Sequence, residues 1–410
     1  MDAALLVDAR EERGLALVRS KAKKFRHVAG SVWFAPSQTN DQGYVVDLAK
    51  DTCTCPDFEA RQDRCKHMWG LMFVRREVAM PDGSIVMTQS VKRISYPQSW
   101  AAYNRAQCEE KERVQVLLRG LCDGIEQPKA GRGRPPLPLR DVVYGAALKV
   151  YSTVSGRRAD TDMRAAESDG LMDKAPSYNS LFRYVERPEL MPLLKRLVEQ
   201  SASPLKAIER SYAVDGTGFS TQTYSRWYDH RYGGEKKTQL WVKAHAMVGT
   251  VTNVITAVEA TPGNINDSPM FRGLVETTAA NGFTMEEVSA DKAYLAHDNL
   301  AAVEQVGAAP FVPFKLNSSP YGSAAWERMY HLYSLRKEEF SAHYHKRSNV
   351  EATFSALKRK FGGSVRSKLL PAQLNEVLLK CLCYNLSVVV HSIHEFGIEP
   401  KFWDHREVGR

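Results

Sequence analysis

The sequence predicts a multidomain α/β protein, in which a mixed β-sheet flanked by helices follows a helical region and a small β-hairpin domain. Three observations predict this class. Two short β-rich segments precede a cluster of Cys and His residues, helical patterns follow a Pro/Gly-rich linker, and the second half begins with strands and then alternates strand and helix patterns. Strands that come first and then alternate with helices indicate a mixed sheet.

The composition fits a folded chain with more than one domain. The 410 residues are 43% hydrophobic and 25% charged, with a formal net charge of +9. These values exclude collagen-like, coiled-coil and disordered chains, and the moderate positive charge does not by itself identify a partner. Seven cysteines spread over so long a chain do not form a disulfide framework.

We expect a cytosolic protein without a membrane span. The most apolar stretch, residues 377–390, is interrupted by Lys380, Tyr384 and Asn385. The N-terminal segment is acidic where a signal peptide has a basic start and an apolar core.

Residues 1–90 predict a small metal-binding domain. Segments 31–35 and 44–48 are rich in aromatic and β-branched residues and indicate a β-hairpin. The candidate ligands follow at once: Cys53, Cys55, Cys65 and His67. Cysteines two positions apart point the same way from a strand, and Cys65 and His67 can close the site from the start of a helix. Three thiols and an imidazole are a recognised set for structural Zn²⁺.

This spacing, Cys-x-Cys, nine residues, then Cys-x-His, resembles the SWIM zinc finger. Because SWIM modules accompany both DNA-acting and protein-interacting proteins, the resemblance leaves the partner open. A basic cluster without acidic residues lies just upstream, at Arg19, Lys21, Lys23, Lys24 and Arg26. It favours nucleic acid, although a solvated charged face explains it equally well.

Residues 91–138 predict a helical segment and a Pro/Gly/Arg linker. Helix cannot propagate through residues 128–138, which contain Arg132 and Arg134 and no acidic residue. An exposed tether explains this stretch. The alternative is an arginine arm that lies in an A·T-rich minor groove, where both arginines contact DNA.

Residues 139–204 predict three short helices, compatible with a DNA-binding helix-turn-helix. Apolar residues have helical spacing over 142–150, a second segment covers 158–168, and a third begins at Ser177 as an N-cap. Any small helical connector has the same pattern, so this indication is weak.

Residues 205–395 predict the α/β domain, and residues 396–410 a C-terminal tail. The expected strands are 212–216, 240–248, 254–260, one ending at 291, and 310–314; the expected helices are 268–280, 299–306, 337–361 and 371–395.

Three carboxylates from separated elements form the candidate catalytic site. Asp215 lies in or at the end of the first strand and Asp291 ends the fourth. If 338–361 is one helix at 100° per residue, Tyr344, Arg347, Glu351 and Lys358 share an arc of about 60°. That arc lies beside a buried stripe formed by Val350, Phe354, Leu357 and Phe361.

Each carboxylate alone has an ordinary explanation, as a turn former, a helix cap or a surface ion pair. Together they can converge on two Mg²⁺ ions, which clamp the attacking and leaving oxygens of a phosphodiester. The arginine and the lysine of the arc then contact phosphates.

These residues together resemble the DDE-type insertion-sequence transposases, which have a ribonuclease-H-like core. The main basis of this resemblance is the motif Tyr344-x2-Arg347-x3-Glu351-x6-Lys358. Asp215 in Ala-Val-Asp-Gly and Asp291 in Ser-Ala-Asp-Lys support it. The resemblance covers about 205–395. It implies that the three carboxylates are catalytic and bind two Mg²⁺ ions, with Mn²⁺ able to substitute, and that Tyr344, Arg347 and Lys358 bind DNA.

The resemblance also implies partners and location. The expected partners are double-stranded DNA, as inverted-repeat ends and target, and a second copy of the chain in a synaptic dimer. The expected location is the cytoplasm, on the nucleoid. Only residues 316–337 are left for an insertion between the second and third carboxylates. We therefore expect Trp326 to be a core residue, which argues against a DNA-hairpin intermediate.

Other functions remain open at this stage. A DNA-binding regulator derived from such an enzyme would bind DNA without cutting it. A metal-dependent, structure-specific nuclease would cut without joining. A SWIM protein serving chiefly as an interaction hub is the weakest alternative, because a catalytic core would then be redundant.

Overall fold

The computed structural model describes residues 9–21, 24–38, 43–74, 76–79, 85–88, 99–129, 135–221 and 241–403. They belong to two compact units, residues 1–98 and 99–410. The arginine arm predicted at Arg132 and Arg134 lies outside the described residues.

The first unit is built on a four-stranded antiparallel sheet, with strands β1 (Arg26–Ala29), β2 (Val32–Pro36), β3 (Gly43–Asp47) and β4 (Thr52–Cys53) in that order. The predicted hairpin is the β2–β3 pair. A separate two-stranded sheet contains β5 (Arg76–Ala79) and β6 (Ile85–Thr88). The helices are α1 (Ala9–Lys21), α2 (Pro56–Arg61) and α3 (Lys66–Val74).

Two helices of the first unit pack closely at Gly14. A Cβ atom there would lie 2.7 Å from Trp69 Cβ and 2.9 Å from the backbone nitrogen of Gly70. Glycine therefore lets α1 pack directly on α3. The rest of the core is small, and three of its buried residues are the cysteines Cys53, Cys55 and Cys65.

The second unit begins with helices α4 (Trp100–Cys122), α5 (Leu139–Tyr151), α6 (Gly156–Ser168), α7 (Tyr178–Val185) and α8 (Leu190–Ser201). Ser177 caps α7 as predicted, since its Oγ accepts a hydrogen bond from the Ser180 N–H at 3.3 Å. These helices share one continuous hydrophobic core with the sheet that follows.

That sheet has five strands in the order β11-β10-β7-β8-β9. Strands β7 (Ser211–Ser220), β8 (Trp241–Gly249) and β9 (Ile255–Pro262) are antiparallel, while β10 (Glu287–Ala290) and β11 (Ala309–Phe311) add parallel to β7. The predicted mixed sheet is confirmed, and it is consistent with a ribonuclease-H-like domain.

The helices around this sheet are α9 (Ser268–Ala280), α10 (His297–Gln305), α11 (Ala324–Leu335), α12 (Lys337–Tyr344), α13 (Ser348–Phe361) and α14 (Leu370–Phe396). Helix α11 lies between the second and third carboxylates. Its Trp326 is a core residue, stacked on His297 at 3.8 Å with its Nε1–H donating to the Ser319 carbonyl at 2.9 Å.

The prediction of one helix over 338–361 is wrong at three residues. Helix α12 ends at Tyr344, a 3₁₀ turn covers His345–Arg347, and α13 begins at Ser348. Ser348 Oγ donates to the His345 carbonyl at 2.9 Å, and such local bonds compete with regular helix. The buried stripe Val350, Phe354, Leu357 and Phe361 is confirmed.

Helix α14 is long and apolar enough, by length and composition, to cross a membrane. Its polar residues therefore do not by themselves distinguish it from a membrane span, but its burial agrees with the expectation that it is not one. Burial explains its apolar character, because 83% of its most apolar 18-residue stretch lies inside the protein. A core helix of a globular domain has this property.

Asn385 of α14 connects two neighbouring elements in the core. Its Oδ1 accepts from the Ile255 N–H at 2.9 Å, and its Nδ2 donates to the carbonyls of Ile255 at 2.7 Å and Val198 at 3.1 Å. We predict that Asn385→Ala lowers the free energy of unfolding by about 3 kcal/mol, because buried polar groups lose their partners. Denaturant unfolding measures this loss. Asn179→Ala, at an exposed position on α7, should change it by less than about 0.5 kcal/mol.

Candidate metal centre and candidate active site

In the first unit, the four predicted ligands lie together. One ligand atom from each of Cys53, Cys55, Cys65 and His67 lies within 4.8 Å of all the others, and all four residues are buried. Cys53 ends β4, and Cys55 caps α2 by accepting from the Phe58 N–H at 3.4 Å. The other pair comes from the start of α3, so three elements converge on one point.

The chemistry of this cluster fits a cation. The hydrogen bond from Cys53 lowers the pKa of Cys65 to about 4, and the same bond raises the pKa of Cys53. His67 Nε2 is buried and has no hydrogen-bond partner among the described residues, and the Tyr44 ring packs against the imidazole at 4.6 Å. Three buried cysteines and an imidazole within reach of one point support structural Zn²⁺.

In the second unit, two of the three candidate carboxylates meet at neighbouring strands. Asp215 lies in β7, and Asp291 directly follows β10. The strands are parallel, with Ala290 paired to Val214, so the next residue on each strand is an aspartate. Adjacent strands lie about 4.8 Å apart. Asp291 Oδ1 also accepts from the Ala293 N–H at 2.7 Å, which orients its carboxylate.

The third carboxylate approaches Asp215 through an arginine. Arg347 donates to Asp215 Oδ2 at 3.0 Å and also to the carboxylate of Glu351, one turn into α13. Among the described residues, the three carboxylates do not form a ligand group as compact as the Cys/His cluster. The Arg347 guanidinium lies between two of the three carboxylates and offsets part of their charge.

Burial perturbs the pKa of Asp215. Its side chain is 20% exposed, and desolvation raises its pKa, as do the negative charges of Asp291 and Glu351. The Gly216 N–H, which donates to Asp215 Oδ1 at 2.8 Å, and Arg347 act in the opposite direction. The site therefore carries negative charge that its own cation compensates only in part.

Two side chains beside this site, Tyr294 and Asp267, were not among the residues predicted from the sequence to be functional. Tyr294 is buried, and its hydroxyl has no hydrogen-bond partner among the residues that the structure describes. Burial raises its pKa, and so do the charges of Asp215 and Asp291. Asp267 accepts from Lys243 Nζ at 3.0 Å and lies 3.4 Å from His245 Nδ1. An aromatic residue three positions after Asp291 was the available signal for the first of them.

The other predicted DNA contacts described by the structure, Tyr344 and Lys358, lie on α12 and α13. Tyr344 ends α12, with its ring 5.9 Å from the Arg347 guanidinium carbon. The Lys358 ammonium lies 5.4 Å from the centre of the Phe219 ring, and burial lowers its pKa. Arg347 contacts carboxylates here, so its predicted phosphate contact requires it to exchange partners.

The mixed sheet with acidic strand ends is that of a ribonuclease-H-like domain. Residues 207–386 match the transposase DDE domain model, and residues 44–75 match the SWIM zinc finger model. The chain therefore contains a transposase DDE domain and an N-terminal SWIM zinc finger with a Cys3His metal-binding group. Both family resemblances are confirmed.

The raised pKa of Asp215 leads to a prediction about pH. The folded chain keeps this proton to a higher pH than the unfolded chain does, so ionisation costs stability as pH rises through that pKa. A bound divalent cation offsets the cost. We expect Mn²⁺ to raise the melting temperature by more at pH 8 than at about pH 4, the ordinary pKa range of carboxyl groups. Thermal unfolding with and without Mn²⁺ measures it, and an increment equal at both pH values would contradict the prediction.

Proposed function

We propose that this protein is a DNA transposase. It binds the terminal inverted repeats of an insertion sequence, cuts the DNA at the end of the element, and joins the freed end to target DNA. The observation that carries the proposal is the parallel register of β7 and β10 within the residues that match the DDE domain. It supports a shared role for Asp215 and Asp291, with Glu351 supplying the third carboxylate.

The donor set fits two Mg²⁺ ions, or Mn²⁺. Asp215 would hold both ions, Asp291 one and Glu351 the other, since hard cations prefer carboxylate oxygens. When bound, such ions supply Lewis acidity at the scissile phosphate. The chain supplies orientation: the N–H groups of Gly216 and Ala293 fix the two aspartates. Once Arg347 is released from its carboxylates, its guanidinium can donate two hydrogen bonds to one phosphate in a bidentate arrangement.

The reaction has two phosphoryl-transfer steps. In the first, a water oxygen bonds to phosphorus and the bond to the 3′ oxygen breaks, which leaves a 3′ hydroxyl. In the second, the oxygen of this hydroxyl bonds to a phosphorus of the target and loses its proton, while the target's own 3′ oxygen leaves and is protonated, so one phosphodiester forms as one breaks. No covalent protein intermediate is needed. Because two ends must be cut together, the active assembly is a homodimer, on nucleoid DNA.

The test uses the zinc-loaded full-length protein with labelled duplexes from both ends of the DNA that flanks its gene. With Mg²⁺ we expect nicked ends and, with a target plasmid, joined products. Nicks without joined products would contradict the proposal and indicate a nuclease. Binding without any cleavage would contradict it as well and indicate a DNA-binding regulator. We also propose that the SWIM unit contacts the same DNA. Deleting this unit and measuring duplex binding tests the contact.

A further inference from the structure

A basic groove of about 690 Å³ lies apart from the three carboxylates, between the α5–α6 corner and the loop after α13. One wall carries Lys149 and Arg157, and the other carries Arg366 and Lys368. Phe182 of α7 borders the groove, packed so closely on the start of α6 that a Cβ at Gly156 would lie 2.3 Å from its ring. Four cations around one concave surface indicate an anionic ligand.

Helix α14 holds the loop that presents two of these cations. Lys380 donates to the carbonyls of Gly362 at 3.0 Å and Ser364 at 2.6 Å. Glu376 accepts from the Arg366 N–H at 3.0 Å and the Ser367 N–H at 2.9 Å. Since the backbone is fixed by buried side chains, both exposed cations of this loop are held in place before a ligand binds.

Few charges within the groove compete for a ligand. Among the described residues, the exposed Glu186 is the one acidic residue of the lining. Glu376 lies behind the groove, buried and hydrogen-bonded to the loop. Lys149 is half-buried, and although the charge of Glu376 acts on it, it makes no direct hydrogen bond or ion pair with any described residue. An ammonium partly removed from water without a partner is costly, and a phosphate would supply that partner.

The loop on one side of the groove is hydrogen-bonded to the strand that contains Asp215. The Ser220 N–H donates to the Gly363 carbonyl at 3.0 Å, and the Val365 N–H donates to the Ser220 carbonyl at 2.9 Å. Ser220 ends β7, the strand that contains Asp215. Five residues of strand span about 17 Å, which is about five base pairs at 3.4 Å each.

We propose that this groove binds the phosphodiester backbone of double-stranded DNA, about five base pairs from the bond that is cut. The inference rests on the proposed function, because the same duplex must reach Asp215. It assigns Arg366, Lys368, Arg157 and Lys149 as backbone contacts. Contacts of this kind fix the register of a duplex and do not read its sequence.

The test is duplex binding measured by fluorescence anisotropy over a range of salt concentrations. It uses the full-length protein, without Mg²⁺, and a labelled 30-base-pair duplex of arbitrary sequence. We expect Arg366→Gln/Lys368→Gln to weaken binding about 10-fold near 0.15 M salt. The slope of log K against log salt should fall by about 1.8, since each lost phosphate contact removes about 0.9.

Arg105→Gln/Lys111→Gln is the matched control. It removes the same charges at exposed positions of α4, beside residues that contact His391 and His394. His391 and His394 lie about 22 to 27 Å along α14 from Glu376. We expect less than a two-fold change in affinity. Equal losses in both double variants, or wild-type protein that binds no duplex, would overturn the inference.

Lys149→Met supplies a second readout that does not depend on the loop. Because the ammonium is half-buried without a partner, we expect the variant to melt about 2 °C higher while it binds the duplex several-fold more weakly. Unchanged duplex affinity would count against the inference. Cleavage in Mg²⁺ tests the proposed function separately: if groove variants bind like the control while the wild type cuts and joins, the groove proposal fails and the transposase proposal stands.

Discussion

Asp215→Asn is expected to reduce Mg²⁺-dependent strand cleavage by at least about 10³-fold, because loss of even one preorganised stabilising group costs roughly 10²–10³ in rate. Asparagine has the same shape but a neutral, weaker oxygen ligand, so the site would lose the carboxylate proposed to contact both ions. Asp291→Asn and Glu351→Gln should have effects of the same order. Cleavage of a labelled end duplex, measured under single-turnover conditions, gives the rate.

The fold should survive this change. Burial raises the pKa of Asp215, so the ionised form is disfavoured there, and a neutral isostere should not lower the melting temperature without divalent cations. Duplex affinity in the absence of Mg²⁺ should stay within about two-fold. Asp298→Asn, which neutralises an exposed aspartate of α10, is the matched control and should cut at the wild-type rate. A wild-type rate for Asp215→Asn would end the catalytic proposal.

Cys65→Ser is expected to remove the bound zinc and unfold the first unit while the second stays folded. The ligands are a large part of the small core of this unit, and structural Zn²⁺ contributes about 10–16 kcal/mol in isolated finger peptides at neutral pH. Metal analysis should fall from one zinc per chain to none. Hydrogen exchange should then show loss of protection over residues 43–74 and unchanged protection over the sheet of the second unit.

Cys108→Ser is the control for this experiment, since it replaces an exposed cysteine of α4. It should retain one zinc and full protection in both units. If Cys65→Ser kept its zinc, or if the first unit stayed protected after zinc was lost, the structural role of the metal would be wrong.

Local patterns predicted most of the elements because each depends on near neighbours. The apolar run 212–214 and the cap at Ser177 can be recognised from a few positions, and so can the ligand pairs Cys53/Cys55 and Cys65/His67. The break at His345–Arg347 was missed because periodicity cannot distinguish one helix from two that are joined by a 3₁₀ turn with nearly the same phase.

Contacts between segments that are distant along the chain could not be predicted from the sequence. The pairing of Arg347 with Asp215 joins positions 132 residues apart, and the basic groove combines α5–α6 with the loop after α13. Sequence spacing contains no distance information for such pairs. The partial neutralisation of the carboxylates by Arg347 could therefore be known only from the fold, whereas the identity of the carboxylates followed from motifs.

The shortness of β10 restricts how this chain can vary. Its four residues are hydrogen-bonded to β7 on one side and β11 on the other. Deleting one of them would turn the following acidic side chain to the opposite face of the sheet, since side chains alternate along a strand. We consequently expect changes of chain length to be tolerated outside β10, for example around α11, which follows Asp291 and is not part of the sheet.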